Sequence, residues 1–415
     1  MKRAFHILRP WIFPLLTLLA LPASCAGGRS RTVTAEELPP ARPDTLSIYV
    51  VGDIMCHGLQ LKSAHALWCE KADTTASVDD PYAYDWSTEF APLQDRIEGA
   101  DLAVGNVEFP FAGAPFTGFP DFSAPESYLD YLTDVAGFDV LLAANNHILD
   151  KGRRGLERTL EVYRAMEAAG KAQFAGISGD PEEDAAHYPL PVEVGGVRLG
   201  IINFTYGTNY DIPEAWPKVN RETEREEILA AIQTARERDS VDLVLVFPHW
   251  GEEYDLHHNA AQEALADEMI AAGADAIVGH HPHRIQDMEL RSVPVDDPAD
   301  SSATRLVPLF YSVGNAVSNQ NDPEGRIELA VTLRIERSPE GEVRMLEPLW
   351  EYIWCTKAGM ILPGGYAVIP VREYLGRPEA WLDRPEDYEK MVATYRYAKQ
   401  YTAIPDEEDD LPRCD

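Results

Sequence analysis

Five short apolar runs in this chain each stop at a cluster of carboxylate, amide or imidazole side chains. That recurrence restricts the fold more than any other feature. The runs cover 46–51, 101–104, 138–143, 241–247 and 274–278. They end respectively in Gly52-Asp53-Ile54-Met55, Gly105-Asn106-Val107-Glu108, Ala144-Asn145-Asn146-His147, Pro248-His249-Trp250-Gly251 and Gly279-His280-His281-Pro282-His283. Apolar runs of this length, rich in β-branched residues, read as buried strands. Stretches of helical period lie between them, at 92–99, 128–136, 155–169, 222–238 and 259–272. Strand, polar cluster and helix in repeated succession predict an α/β fold. In open α/β sheets, ligands gather outside the carboxyl ends of the strands. Asp53, Glu108, Asn146 with His147, His249, and His281 with His283 all stand there.

The last cluster carries the sharpest expectation. Side chains two apart on an extended segment share a face, so His281 and His283 should converge while His280 turns away. Pro282 favours an extended backbone at His281. Imidazole, carboxylate and amide donors together suit a mixed nitrogen and oxygen site for Mn, Fe or Zn better than a thiolate site. Each residue also has a plainer reading. Asp53 can cap a helix, Asn146 can serve a turn, and His249 beside Trp250 can be a core histidine. His57 and His65 read as surface or packing residues, and Trp250 and Tyr254 as packing or pocket walls. A long loop over 109–127, rich in Pro, Gly and Phe, is a candidate substrate wall.

The rest of the pattern completes the sheets. A hairpin is expected over 192–203 on Gly195-Gly196, a further strand over 306–311 before Ser312-Val313-Gly314-Asn315, and closing antiparallel strands over 327–335 and 343–348. Beyond about residue 350 the sequence turns aromatic, charged and helical in pattern. Hydrophobic residues make up 45% of the chain and charged ones 25%, as in a globular protein. The net charge of −33 argues against a nucleic-acid partner, because nothing offsets phosphate repulsion. Arg153, Arg154 and Arg284 are the candidate anion contacts near the motifs.

Residues 1–25 read as a targeting segment: Lys2, Arg3 and Arg9 precede an apolar stretch at 11–21, too short to span a bilayer comfortably. Pro22-Ala23-Ser24-Cys25 resembles a bacterial lipoprotein cleavage site, with Cys25 as the lipidated residue and membrane anchor. Ordinary secretion is the alternative, and both place the mature protein outside the cytoplasm. Residues 26–45 read as a flexible tether. Cys56, Cys69, Cys355 and Cys414 allow three disulfide pairings, Cys56 with Cys69 being the local one; free thiols are the alternative.

Taken in order, several motifs resemble the bacterial capsule-synthesis CapA group of the calcineurin-like metallophosphoesterase superfamily over about residues 46–320. They are Gly52-Asp53-Ile54-Met55, Asn106-Val107-Glu108, Asn145-Asn146-His147 with Asp150 and Gly152, His249-Trp250-Gly251 with Glu253-Tyr254, Gly279 to His283, Glu289, and Tyr311 to Asn315. The resemblance implies a four-layer α/β/β/α metallophosphatase-like sandwich over 46–348, with 349–415 packed on it as a C-terminal extension. It implies two divalent metal ions, with Asp53, Asn146, His249, His281 and His283 as ligands and His147 as a non-ligating acid. Asn106, Asn145, Glu253, Arg284 and Asn315 are expected to contact substrate. Two positions depart from the superfamily pattern: Met55 stands where a His is usual, and Asn106 where a bridging Asp is usual. Glu108 is the carboxylate left to fill that gap.

The function implied is capsule or poly-gamma-glutamate biosynthesis in the cell envelope, in association with a capsule-synthesis membrane complex. Metal-dependent hydrolysis of a phosphoester or another bond in an envelope polymer is one reading. A non-catalytic accessory protein that binds or exports an anionic polymer such as polyglutamate is the second, and an enzyme acting on polyglutamate amide bonds the third.

Overall fold

The computed structural model describes residues 44–238, 240–295, 302–402 and 404. The targeting segment, Cys25, Cys414 and all but the last two residues of the expected tether lie outside them.

The described strands are β1 (Asp44–Ile54), β2 (Leu102–Val107), β3 (Val140–Leu142), β4 (Gln173–Ala175), β5 (Ile177–Ser178), β6 (Leu190–Val194), β7 (Val197–Thr205), β8 (Lys218–Val219), β9 (Leu243–His249), β10 (Ala276–Val278), β11 (Met288–Pro294), β12 (Thr304–Phe310), β13 (Ile327–Arg337), β14 (Val343–Thr356) and β15 (Ala367–Pro370). The helices are α1 (Gly58–Ala72), α2 (Gln94–Gly99), α3 (Glu126–Asp130), α4 (Gly152–Ala168), α5 (Pro181–His187), α6 (Arg225–Arg238), α7 (Ala260–Ala272), α8 (Val371–Tyr374) and α9 (Pro385–Thr402). Among the described residues no helix is long and apolar enough to cross a membrane.

Two sheets carry the fold. One has seven strands in the order β15-β14-β13-β1-β2-β3-β4, the other six in the order β11-β12-β10-β9-β7-β6. In the first, β1 to β4 run parallel and β13 joins β1 antiparallel. In the second, β7, β9, β10 and β12 run parallel, with antiparallel β6 and β11 at the edges. Period-two alternation divides each strand between two apolar layers. Ile48, Val50, Leu102 and Val104 meet Leu199, Ile201, Leu245 and Phe247 between the sheets. Tyr49, Val51, Ala103 and Leu141 face outward to Leu61, Ile97, Leu156 and Leu160. On the far side Ile202, Val244 and Val246 pack on Ile228, Ile232, Leu265 and Met269. The result is a four-layer α/β/β/α sandwich, as the resemblance implied.

Two glycines let the site strands end where they do. A Cβ on Gly52 would lie 2.0 Å from the Gly314 carbonyl oxygen, and one on Gly279 2.0 Å from that of Tyr311. The backbone approaches too closely at both for any side chain. Gly195 (φ 56°) and Gly196 (φ 76°) make the expected hairpin turn between β6 and β7.

Some elements differ from the sequence expectation. The strand expected to close at 348 continues to Thr356 and pairs with β15, so residues 349–370 supply an edge of the first sheet, not helix alone. Helix α1 has no strong apolar stripe, burying only Gln60, Leu61 and Ala64, and the pattern did not show it. Cys56, Cys69 and Cys355 are free, so the local Cys56–Cys69 pairing does not form. Cys56 is buried in the core, whereas Cys69 lies near the far end of α1 with its Sγ 3.7 Å from His65 Nε2.

Candidate metal centre

The carboxyl ends of β1, β2 and β3 in one sheet and of β9 and β10 in the other open on one place. Asp53 is the second-to-last residue of β1, Glu108 directly follows β2, Asn146 and His147 follow β3, His249 ends β9, and His281 and His283 follow β10. All seven side chains are buried. Residues far apart in sequence are thus gathered by strand order alone.

His281 and His283 converge, with ring centroids 6.1 Å apart. The route differs from the extended one expected: His281 has φ 98° and His283 φ 54°, both left-handed. Non-glycine residues in that region cost about 1–3 kcal/mol each and persist where surrounding contacts over-determine them. Those contacts are present. The His281 N–H donates to Asp53 Oδ2 (3.2 Å), the Tyr254 N–H to the Pro282 carbonyl (2.8 Å), and Arg284 Nη1 to the His283 carbonyl (2.7 Å). His280 does turn away, its Nε2 3.4 Å from the Val51 carbonyl.

Glu108 is the centre of the cluster. Its Oε1 lies 3.6 Å from His249 Nε2, 3.8 Å from His283 Nε2 and 4.0 Å from His147 Nε2, yet neither carboxylate oxygen has a hydrogen-bond partner. Two donor groups, each with its ligand atoms within 4.8 Å of one another, form around it: Glu108 with His249 and His281, and Asp53 with Glu108 and His283. Buried polar groups without partners are costly and rare. Here Glu108, His281 Nδ1 and Asn106 Oδ1 all lack one. A donor set of carboxylate and imidazole with unsatisfied lone pairs fits a divalent cation.

The electrostatics divide the donors into groups that are ready to ligate and groups that must first lose a proton. Burial pushes the Glu108 carboxyl up to about 8 against the opposing pull of His283. Burial pushes His249 down to about 3 and, with the neighbouring imidazoles of His249 and His283 opposing a further proton, His281 well below the imidazole range, so both present neutral nitrogens. Asp53 is held well below its ordinary value: its burial is outweighed by contact with His283 and by His249. Burial lowers His283, but Glu108 and Asp53 outweigh it and raise the group to about 9.

Around this core sit orienting contacts. His147 Nδ1 is 2.7 Å from Asp150 Oδ2, which also accepts the Phe122 N–H (2.8 Å). The Asp150 bond directs His147 Nε2 towards Glu108. Asn146 Oδ1 meets His249 Nε2 at 2.8 Å, and Asn106 Nδ2 donates to Asp53 Oδ1 at 2.7 Å.

The five expected substrate contacts divide. Glu253 is exposed and lines a cavity of about 490 Å³ beside His147 and His283. The other four make bonds within the protein, although Asn106 Oδ1 and Asn315 Oδ1 have no partner. Asn106 serves Asp53. Asn145 donates to the Val107 and Ala143 carbonyls and accepts the His147 N–H. Asn315 donates to the Gly325 carbonyl. Arg284, expected as an anion contact, pairs with Asp322 (2.5 Å), donates to Gln320 Oε1 and stacks 5.0 Å from the Tyr254 ring centre. Arg153 is held by Glu157 and Glu214. Sequence reading also passed over four neighbours of the site. His57, set aside as packing, lines the cavity. Phe122 packs edge-on against both His57 and His147. The Tyr206 ring lies 4.5 Å from His281, and Asn209 Nδ2 donates to Asp150 Oδ1. All but His57 lie in loops without period, where only the fold shows the proximity.

Layer order and strand-end chemistry together define a four-layer α/β sandwich with a histidine–carboxylate cluster at its strand ends. The family model for bacterial capsule synthesis protein PGA_cap matches residues 47–320, and the chain belongs to that family. It is 27% identical over 323 residues to the capsule biosynthesis protein CapA of Bacillus anthracis, covering 74% of this chain and 68% of that one. It is 28% identical over 306 residues to the PGA biosynthesis protein CapA of Bacillus subtilis, covering 72% and 70%. A probable polyglutamine synthesis accessory protein of Mycobacterium tuberculosis matches at 26% over 206 residues, 47% of this chain and 49% of that one. Among solved structures, the NAD nucleotidase of Haemophilus influenzae aligns over 87% of this chain and 61% of that one at a TM-score of 0.37 and 13% identity, too slight a likeness to bear on the site.

Proposed function

We propose that this member of the capsule-synthesis family is an extracytoplasmic, lipid-anchored, metal-dependent hydrolase acting on a phosphoester or another bond of an envelope polymer. The observation that carries the reading is Glu108: a buried carboxylate with no hydrogen-bond partner, shared by two donor groups. Glu108, His249 and His281, with Asn146 alongside, would hold one divalent ion, and Asp53, Glu108 and His283 a second. Such ions supply Lewis acidity to the bond under attack. The chain's own residues do the rest. Asp150 fixes the His147 ring and keeps a proton available at Nε2, from which a leaving oxygen can take it. Phe122 packs against that ring and excludes water from one side. The basic start, apolar stretch and Cys25 of the first 25 residues support export and anchoring.

Elemental analysis of the purified protein, with phosphomonoester and phosphodiester assays, tests this. Bound metal and turnover lost in His147→Ala are expected; a protein that takes up no metal ends the hydrolase reading. A second reading, an accessory protein that holds an anionic polymer, is favoured by Met55 and Asn106 at positions where phosphoesterases place His and Asp. The name of the mycobacterial relative points the same way. Polymer binding by metal-free protein would support it.

A further inference from the structure

The cavity of about 490 Å³ that reaches His147 and His283 has three further nitrogen-bearing side chains in its lining: His57, Asn319 and Gln320. The chemistry proposed above uses none of them. Both amides have their oxygens tied to the protein. Asn319 Oδ1 accepts from the Tyr366 hydroxyl (2.7 Å), and Gln320 Oε1 from Arg284 Nη1 (3.0 Å). Asn319 Nδ2 and Gln320 Nε2 are left over, and among the described residues neither has a partner. His57 is held with equal care. Its Nδ1 lies 3.2 Å from Gln60 Oε1 and 3.3 Å from the Asn319 N–H, so Nε2 is the ring atom that remains. The Asn319 N–H can only donate, and a neutral ring that accepts it carries its proton on Nε2. Buried Gln60 fixes the seat of the ring, accepting the His57 N–H (2.9 Å) and donating to the Met55 carbonyl (2.9 Å). Phe122 packs edge-on against both the His57 ring (5.4 Å) and the His147 ring (4.7 Å).

Three donors on one cavity, with their own acceptors turned away, call for a ligand rich in acceptors. The charge behind them gives its sign. Lys357 Nζ donates to the Asn319 carbonyl (3.1 Å) and to Asn321 Oδ1 (2.8 Å), and among the described residues no carboxylate pairs with it. In a chain of net charge −33, an ammonium left to neutral acceptors behind a cavity wall is a local source of positive potential. Glu253 lines the same cavity and repels anions, so the charge of a bound anion must rest on the donors. Phosphate groups are typically met by guanidinium or ammonium groups. Here Arg284 is held by Asp322 and Gln320, and among the described residues no arginine or lysine lines the cavity. Two amides and an imidazole suit the single charge and two oxygens of a carboxylate.

We infer that His57, Asn319 and Gln320 form a carboxylate subsite beside the metal centre, which seats an anionic side group of a bound polymer. The inference rests on the reading that an anionic envelope polymer is the ligand, whether that polymer is cleaved or only held. The test is calorimetric titration of the protein, metal-free and metal-loaded, with three probes. They are a γ-linked glutamate tetramer, the same tetramer with its carboxylates amidated, and a glycerol phosphate trimer. The protein should bind the glutamate tetramer roughly tenfold or more tightly than the amidated one, the effect of hydrogen bonds to a charged group. His57→Phe, which keeps the packing on Phe122, and Gln320→Met should each cut that preference roughly three- to tenfold. His57→Gln should restore part of it by returning an N–H. A residue that only supports the fold would weaken both tetramers alike, so the ratio of the two affinities is the readout, with circular dichroism and metal content unchanged. No preference for the charged tetramer, an unchanged ratio in either variant, tighter binding of the glycerol phosphate trimer, or loss of a metal ion in His57→Phe overturns the inference. Binding with an unchanged ratio ends this inference alone, whereas no binding of any probe ends the polymer reading with it. A preference that depends on His57 in a protein that takes up no metal ends the hydrolase reading alone.

Discussion

Glu108 Oε1 stands 3.6 Å from His249 Nε2 across the junction of the two sheets, and the carboxylate has no hydrogen bond to satisfy it. Replacing it separates charge from shape. Glu108→Gln should fold, since an amide is no harder to bury than a carboxyl already pushed up to about 8. It should bind metal at least tenfold more weakly, because both donor groups lose their shared carboxylate. Equilibrium dialysis with metal analysis reads this; unchanged stoichiometry and affinity would remove Glu108 from the ligand set.

Metal uptake should depend steeply on pH. Ligands must shed their protons to bind, and His283 is raised to about 9 and Glu108 to about 8. Affinity therefore climbs from neutral pH to about 9. In metal-free protein both groups hold more protons folded than unfolded, so their contribution to stability is present at low pH and lost as pH rises through those values. Thermal midpoints of the metal-free protein should fall between about pH 6.5 and 9, and metal should reverse the fall.

The Asp150–His147 bond predicts a change in pH profile as well as in rate. Burial alone would lower His147, and Asp150 outweighs it. Asp150→Asn should lower kcat about 10²-fold or more, the low end for a positioned acid. It should also move the alkaline limb of the kcat profile to lower pH while metal content stays the same. A lower rate with an unmoved profile would mean that Asp150 serves folding only.

At His281 side chain and backbone pull in opposite directions. With φ 98°, His281→Gly should relieve about 1 kcal/mol of strain in the metal-free protein relative to His281→Ala, although both lose the ligand. Urea denaturation of the two variants measures the difference. Equal stabilities would show that the left-handed turn carries no cost.

Gly279→Ala should be severe, because the new Cβ meets the Tyr311 carbonyl oxygen and both backbones are tied down, the Gly279 N–H to the Phe310 carbonyl (2.8 Å) and the Tyr311 N–H to the Asp287 carbonyl (3.1 Å). We expect a loss of at least about 1–3 kcal/mol, read as a lowered thermal midpoint. A substitution at exposed Gly58, whose Cβ would meet nothing within 4 Å, is the control.

Much of this is legible in the sequence. β2, β9 and β10, and β1 from Ile48 onward, are buried on both faces, so their composition is largely apolar and their ends are marked by an abrupt change to ligand-type residues. That marking located Asp53, Glu108, Asn146, His147, His249, His281 and His283. Their surroundings were less legible. Pro282 favours an extended residue before it, yet the tight passage of Gly279 past Tyr311 and the bonds to Asp53 and Tyr254 turn the chain the other way. Arg284 and Asn145 are polar residues beside a polar site, and only their partners show that they brace loops. Phe122, Tyr206 and Asn209 arrive from loops whose sequences carry no period, so their place depends on the sheets beneath.

Asp53 and Glu108 belong to one sheet, and His249, His281 and His283 to the other. An ion bound by both sets would therefore act as a rivet between the two halves of the sandwich. Stripping it would slacken the seam along the strand ends before it touched the helices outside, and capture of a cation would double as the last step of assembly.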